Sequence, residues 1–174
     1  GEYLAQRFSP AILKESLATS RTGMQSLNEY LSRLEAPQDM SLLFGDWMVA
    51  MSVNDQGLGS QYGYQNPNLQ TIHVAPERIE YLEDGVSQVF STSLRPWQPV
   101  LEEFRFPSAT LQNAKKPIKL VANNSTADPV VVSGVLFYTD GSREVIPSHV
   151  FKNQQTFYLA GGEKTVPVTN RKTI

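Results

Sequence analysis

The sequence contains no cysteine. Without a thiol, the chain can form neither a disulfide scaffold nor a thiolate zinc site, and a cysteine nucleophile is excluded. Its 174 residues must therefore be held together by an ordinary hydrophobic core. A domain of this size buries roughly 70% of the surface that its unfolded chain exposes, which is enough for folding without cross-links or metals.

Charge is also scarce, because only 18% of the residues are Asp, Glu, Lys or Arg. The only adjacent basic pairs are Lys115–Lys116 and Arg171–Lys172. A nucleic-acid footprint needs clustered Lys and Arg, so we expect no nucleic-acid partner. A surface rich in hydroxyls and amides suits broad, hydrated protein contacts, although the same composition is ordinary for a β protein.

Long hydrophobic runs are missing as well. The most apolar stretch, Met40–Val53, is interrupted by Asp46 and is too short to cross a bilayer. The first residues show no basic region followed by an apolar stretch, so no secretory signal is predicted. We therefore expect synthesis in the cytoplasm.

Few groups in the chain are suited to catalysis. The two histidines, His73 and His149, fall in separate strand candidates, and the chain has no G-x-S-x-G nucleophile elbow. Glu102 and Glu103 are adjacent, so in a strand their side chains point to opposite faces and cannot share a substrate. We therefore predict that the chain is not an enzyme and uses no metal, cofactor or small-molecule substrate.

Residues 1–36 have the pattern of helices. Ser9-Pro10 is a favourable helix start. An apolar stripe at helical spacing follows it: Leu27, Tyr30, Leu31 and Leu34. We predict an N-terminal helical segment or arm over residues 1–36. Its stripe docks either on the rest of the chain or on a neighbouring molecule, which makes Leu27 and Leu31 candidate contact residues.

From residue 37 onward the periodicity indicates strands. The candidates are Ser41–Phe44, Trp47–Met51, Leu69–Val74, Arg78–Leu82, Val86–Phe90, Pro99–Phe106, Ile118–Ala122, Val130–Tyr138, Glu144–Phe151, Thr156–Leu159 and Thr165–Val168. Asp84-Gly85 and Asp140-Gly141 mark hairpin turns. The nearly continuous apolar character of Val130–Tyr138 predicts burial on both faces, and Pro147 predicts an edge strand or a bulge.

Short strands with turn signals every 8–12 residues are typical of sandwiches and barrels. No alternation of strands and helices follows residue 36, which argues against a doubly wound α/β fold. The sequence therefore predicts a mostly β chain. Its main domain, residues 37–174, is predicted to be a single jelly-roll or β-sandwich barrel of about eight or nine strands.

Two aromatic segments are candidate contact sites. The long segment from Asn54 to Asn68 contains Tyr62 and Tyr64, whose rings suit sugars or protein partners unless the segment is merely a flexible loop. In the second segment, Trp97 lies between two prolines and close to Arg95. A rigidly presented Trp beside an Arg is a good interface anchor; the alternative is a Trp that plugs the end of the β core.

Two polar and apolar runs resemble a hairpin of viral jelly-roll proteins. Lys116–Ser125, followed by Pro129–Leu136, looks like a strand, a polar turn and a strand. The chain, at 19.4 kDa and without cysteine, resembles the smaller single jelly-roll major capsid protein of tailless, membrane-containing icosahedral phages of Thermus. The resemblance covers about residues 40–170.

This resemblance implies a structural virion protein without catalytic residues. Its partners would be copies of itself and a second capsid protein, in an icosahedral shell that makes peripheral contact with an internal viral membrane, and its location would be the virion. The alternative left open by the residues is a carbohydrate-binding or adhesion-type β-sandwich, with Tyr62, Tyr64 and Trp97 as stacking platforms.

Overall fold

The computed structural model describes residues 1–82, 87–105, 118–138, 140–159 and 167–173. The chain divides into two compact units, residues 1–73 and residues 74–174. About a third is helical (33%) and 25% is strand, so the predicted mostly β composition is corrected to a mixed one. The division after His73 also differs from the boundary predicted after residue 36.

The first unit is built from helices. They are α1 (Glu2–Phe8), α2 (Ala11–Glu15), α3 (Met24–Arg33) and α4 (Met40–Val53), with short 3-10 turns at Ser16–Ala18, Gln56–Leu58 and Pro67–Leu69. Helices α1, α2 and α3 bear out the helical prediction for the start of the chain.

Helix α4 replaces the two strands predicted at Ser41–Phe44 and Trp47–Met51, and that prediction is wrong. The Asp39 side chain begins the helix by accepting a hydrogen bond of 3.0 Å from the Leu42 N–H. The helix ends at Asn54, which has a left-handed φ of 46°. Because α4 is apolar around most of its circumference, its sequence lacks the periodicity that separates a buried helix from buried strands.

Asp46 is the polar interruption in this apolar helix, and its side chain is buried. The Gln38 amide donates a hydrogen bond of 2.9 Å to Asp46 Oδ2, and Arg7 of helix α1 donates one of 3.3 Å to Gln38 Oε1. A buried carboxylate is tolerated only where such donors replace water. The network therefore links α1 and the segment before α4 to the middle of α4.

The apolar stripe of α3 packs inside the first unit. Leu31 is 2% exposed and forms a core with Ile12, Met40 and Leu43, and Leu27 packs against this core. Of the two docking alternatives, the structure therefore shows docking within the chain. The assignment of Leu31 as a contact with a partner is corrected, because its burial leaves it little surface to offer, whereas Leu27 is half-buried and packs against the same core.

The second unit contains strands β1 (Arg78–Tyr81), β2 (Leu101–Arg105), β3 (Ile118–Asn123), β4 (Val130–Tyr138), β5 (Arg143–Phe151), β6 (Gln154–Leu159) and β7 (Pro167–Thr173). One sheet has the order β1-β2-β7-β4-β5 and the other pairs β3 with β6. Strands β1 and β2 are parallel, and every other pair is antiparallel. Because β1 and β5 end the larger sheet, the described residues form no closed barrel.

Three of the antiparallel pairs are nested around one hairpin. Strands β4 and β5 are joined at Asp140-Gly141, where Gly141 has a φ of 85°, as the sequence predicts. Strands β3 and β6 flank this hairpin in the sequence and pair with each other, and β2 and β7 flank all four and pair in turn. Each pair therefore encloses the previous one along the chain.

The two sheets pack face to face through alternate residues of β3. Leu120 packs against Leu136 and Tyr138 of β4, and Ala122 packs against Val132 of β4 and Phe151 of β5. These contacts require Leu120 and Ala122 to share one face of β3, as residues two apart in a strand do.

Several strand predictions are confirmed. Strands occur at Arg78–Tyr81, Leu101–Arg105, Ile118–Asn123, Val130–Tyr138, Arg143–Phe151 and Gln154–Leu159. Residues 132–136 are all buried, as expected for a strand covered on both faces. Strand β5 is an edge strand, and Pro147 lies where its register with β4 shifts, so both readings of Pro147 are correct.

Other strand predictions fail or lie outside the described residues. Leu69–Val74 forms a 3-10 turn followed by irregular backbone, and residues 87–90 form no strand. The predicted turn at Asp84-Gly85 lies outside the described residues, and β1 pairs with β2 in parallel instead of forming that hairpin. The candidate Thr165–Val168 overlaps β7, which begins at Pro167, while residues 165 and 166 are outside the described part.

Replacing Leu31 with Ala tests whether this side chain is core or interface. We expect the free energy of unfolding of the first unit to fall by about 2–5 kcal/mol, because the substitution leaves a cavity. Leu17→Ala is the matched control, since Leu17 is 82% exposed, and a change within about 0.5 kcal/mol is expected there. Urea unfolding of both variants measures the difference; equal losses would contradict the assignment.

Candidate contact surface

Trp97 lies at the tip of a tight turn in the second unit. The Gln98 N–H donates a hydrogen bond of 3.0 Å to the Arg95 carbonyl, and the Gln98 side-chain oxygen accepts one of 3.2 Å from the Arg95 N–H. Pro96 occupies the second position of this turn, and Trp97, with a φ of 60°, the third. Pro followed by a residue of positive φ is the pattern of a type II turn.

The backbone of Trp97 is strained, because a bulky residue rarely adopts positive φ. Trp97 nevertheless keeps 41% of its surface exposed. The predicted rigid presentation of Trp97 is thus supported by the turn, and Arg95 in the same turn is also exposed. Strain of this kind concentrates at binding and switch regions, which makes the turn a candidate contact site.

Tyr62 and Tyr64 are buried in the first unit, each 7% exposed. The Trp47 indole N–H donates a hydrogen bond of 2.7 Å to the Tyr64 hydroxyl, and the rings of Tyr64 and Tyr3 meet edge to face at 6.4 Å. Burial raises the pKa of all three tyrosines. Their role as stacking platforms for a ligand is therefore corrected: they are core residues.

The segment that carries these tyrosines is anchored rather than loose. The Asn54 side chain accepts a hydrogen bond of 2.8 Å from the Tyr64 N–H and donates one of 2.7 Å to the Leu69 carbonyl. From helix α1, Gln6 donates a hydrogen bond to the Gly63 carbonyl and accepts one from the Gln65 N–H, both of 2.8 Å. The flexible-loop alternative is therefore not what the structure shows.

Strand β2 carries two adjacent buried carboxylates. Glu102 pairs with Arg78 of β1, whereas Glu103 pairs with Arg105 at 2.6 Å. The two glutamates lie on opposite faces of the strand, as predicted, and each is held by its own arginine. Sequence reasoning did not identify them as buried, because burial of a charge depends on a partner that the local pattern does not reveal.

The outer strand β1 presents apolar side chains on one face. Ile79 is 42% and Tyr81 67% exposed. The Arg105 guanidinium lies 5.7 Å from the centre of the Tyr81 ring and donates a hydrogen bond of 3.2 Å to its hydroxyl. Because Arg105 is in turn held by Glu103, the ring of Tyr81 is supported from behind while its other side remains accessible.

Other kinds of site receive no support in the described residues. No group of three or more His, Asp or Glu side chains in that part of the chain is arranged to hold a metal ion. His149 Nε2 lies 3.1 Å from Gln155 Oε1, a contact between neighbouring strands. In the described part of the chain, every helix is too short or too polar to cross a membrane.

Comparisons with known proteins return no match: no protein-family model, no curated protein and no solved structure matches this chain. The contact surface must therefore be judged from its own geometry. Of the six residues predicted to make contacts, Arg95 and Trp97 are exposed together in one turn, whereas Tyr62, Tyr64, Leu27 and Leu31 contribute to the interior of the first unit.

Replacing Trp97 with Gly and with Ala isolates the strain in this turn. Both substitutions remove the ring, but only glycine adopts positive φ without steric conflict. We expect Trp97→Gly to be more stable than Trp97→Ala by about 1 kcal/mol, measured as the free energy of unfolding in urea. An Ala variant as stable as the Gly variant would mean that the turn is not strained.

Proposed function

We propose that the chain is a structural subunit of a virion shell and that its second unit is a single jelly-roll. The subunit works by contacts with other proteins, namely copies of itself and a second capsid protein, with peripheral contact to an internal viral membrane. It catalyses no reaction. The observation that carries this proposal is the nested strand pairing of the second unit.

A jelly-roll is a pair of packed antiparallel sheets built from two Greek keys. It can be described as one long antiparallel hairpin, each arm of which contains several strands. When this hairpin folds, the strand pairs that follow each other along it belong alternately to one sheet and to the other. Here the pairs β4–β5 and β2–β7 belong to one sheet, and the intervening pair β3–β6 belongs to the other. The contacts of Leu120 and Ala122 with β4 and β5 supply the packing between sheets that such a fold needs.

A jelly-roll suits a shell because its core is internal and its turns and edges remain available to neighbours. Viral capsid proteins are among the proteins that use this architecture. A shell repeats the same moderate contact around symmetry axes, so a rigid subunit with small, ordered contact sites fits the task. The strained turn at Trp97 and the outer strand β1 are sites of this kind.

The state of assembly tests the proposal directly. We expect the purified chain to associate as its concentration rises, in light scattering coupled to size exclusion, and to form regular particles or rings in negative-stain electron microscopy. A chain that remains strictly monomeric at millimolar concentration, with no ordered assemblies, would contradict the proposal. Trp97→Ala is expected to shift assembly to higher concentration, because an interface anchor is lost.

A carbohydrate-binding module is the second candidate, since lectins also use jelly-roll domains. The exposed Trp97 ring beside Arg95 is the feature that favours it, whereas the burial of Tyr62 and Tyr64 removes two of its three expected platforms. A glycan array with the wild-type chain and with Trp97→Ala separates the two functions. Strong glycan binding that is lost in the variant would replace the shell proposal.

A further inference from the structure

Among the strands that the structure describes, β1 is the outermost of the larger sheet in the second unit, with β2 as its neighbour. It is four residues long, and its side chains alternate in exposure along the strand. Ile79 and Tyr81 form the more exposed face. An unpaired strand edge offers backbone donors and acceptors to another strand, so the direction of the β1 amides decides what the edge can bind.

The amides of β1 point alternately towards β2 and towards the open edge. The Leu82 N–H, just after the strand, donates a hydrogen bond of 2.8 Å to the Arg105 carbonyl of β2. Because backbone direction repeats every second residue, Glu80 and Arg78 also face β2, whereas Ile79 and Tyr81 face the edge. Glu77, which precedes β1, breaks this alternation, because its N–H also donates to β2, at the Leu101 carbonyl. Within the strand itself, the amides at the open edge are therefore those of Ile79 and Tyr81.

The opposite edge of the sheet is less suited to pairing. Strand β5 contains Pro147, which lacks an N–H, at the point where the register with β4 shifts. It also begins with the exposed charged residues Arg143 and Glu144. Proline, bulges and charges are the features that keep natural edge strands from pairing. The described sheet therefore has one protected edge and one that is open.

We propose that β1 pairs antiparallel with β1 of a second copy of this chain, around a two-fold axis at Ile79. The two larger sheets then form one continuous sheet. Ile79 of each copy exchanges N–H to carbonyl hydrogen bonds with its counterpart, as directly opposed residues of an antiparallel pair do. The inference rests on the proposed function in assigning self-association, and it names the surface and the partner.

The charges of Arg78 and Glu80 favour this register over the two registers next to it. With Ile79 at the axis, Arg78 of each copy lies opposite Glu80 of the other, so two pairs of opposite charge form. With Arg78 at the axis, two arginines oppose each other, and with Glu80 at the axis, two glutamates do. Opposite charges across strands are favourable and like charges directly opposite are destabilising, so of these three registers only the one centred on Ile79 is complementary.

The exposed face of β1 is already ordered for such a contact. The Tyr81 ring is held by Arg105, whose Nε donates to the buried Glu103. In the proposed register, Tyr81 lies opposite Glu77 of the second copy, and the two Ile79 side chains contact each other at the centre. Since the Tyr81 ring is held before docking, less conformational entropy is lost on association.

Cysteine introduced at the axis tests the proposal, because the chain has no cysteine of its own. Opposed residues of a hydrogen-bonded antiparallel pair have Cα atoms about 5.5 Å apart, within the range of a disulfide. We expect Ile79→Cys to form a covalent dimer under mild oxidation about tenfold faster than Val89→Cys, owing to the high effective concentration at the axis. Val89 is the control because it is 88% exposed.

A second pair of variants tests the same edge without oxidation. Ile79→Lys sets two like charges opposite each other at the axis, and we expect it to weaken the dimer about tenfold in sedimentation equilibrium. Val89→Lys, with the same added charge, should leave the dissociation constant within about twofold of wild type. Equal effects of the two substitutions, or equal rates of cross-linking, would overturn the edge pairing.

The outcomes separate this inference from the proposed function. If the chain associates but Ile79 variants behave like Val89 variants, the edge pairing is wrong and the shell subunit stands. If the wild-type chain is strictly monomeric and Ile79→Cys cross-links no faster than Val89→Cys, the edge pairing and the shell subunit are both wrong. Preferential cross-linking at Ile79 in a chain that forms dimers but no larger assembly supports the edge pairing and contradicts the shell.

Discussion

Strand β4 imposes the constraint on which the second unit depends. Val130–Tyr138 is apolar along most of its length, and residues 132–136 are fully buried. A buried strand must have its backbone N–H and carbonyl groups paired along both edges and its side chains covered on both faces. Strands β5 and β7 supply the two edges, and β3 covers one face. The nested order of pairs is the consequence of meeting these requirements with one chain.

The strand–turn–strand region was predictable from sequence because its signals are local. Val130–Tyr138 and Asp140-Gly141 combine an apolar run with a turn that needs a glycine, and the structure confirms both. Met40–Val53 was not, because a segment that is apolar on all sides fits a buried helix and buried strands equally well. One local signal does favour the helix, because Asp39 precedes the segment and its side chain accepts a hydrogen bond from the Leu42 N–H; the strand interpretation did not use it.

The candidate contact residues differ in the same respect, because local signals indicate the surroundings of some of them and not of others. Trp97 and Arg95 belong to a turn whose prolines restrict the backbone locally, so the rigid turn followed from the sequence. Whether Trp97 is exposed or plugs the end of the β core did not. Tyr64 and Leu31 are buried by residues distant in the chain; Tyr64, for example, is held by Trp47 and Asn54. The local sequence pattern does not show which distant residues will cover a side chain. The interaction surfaces that we propose therefore lie in the second unit, at the strained turn of Trp97 and at the outer edge of β1.

The proposed fold depends most on the position of β7 between β2 and β4. Strand β7 forms the outermost nested pair with β2, and its other edge pairs with the buried strand β4. Asn170 is the residue to follow, because its backbone lies opposite Phe104 on one side and Leu136 on the other. Nuclear Overhauser effects between backbone protons in solution measure this directly. The account predicts cross-strand effects from Asn170 to both Phe104 and Leu136. Contacts to only one of these strands, or to neither, would contradict it.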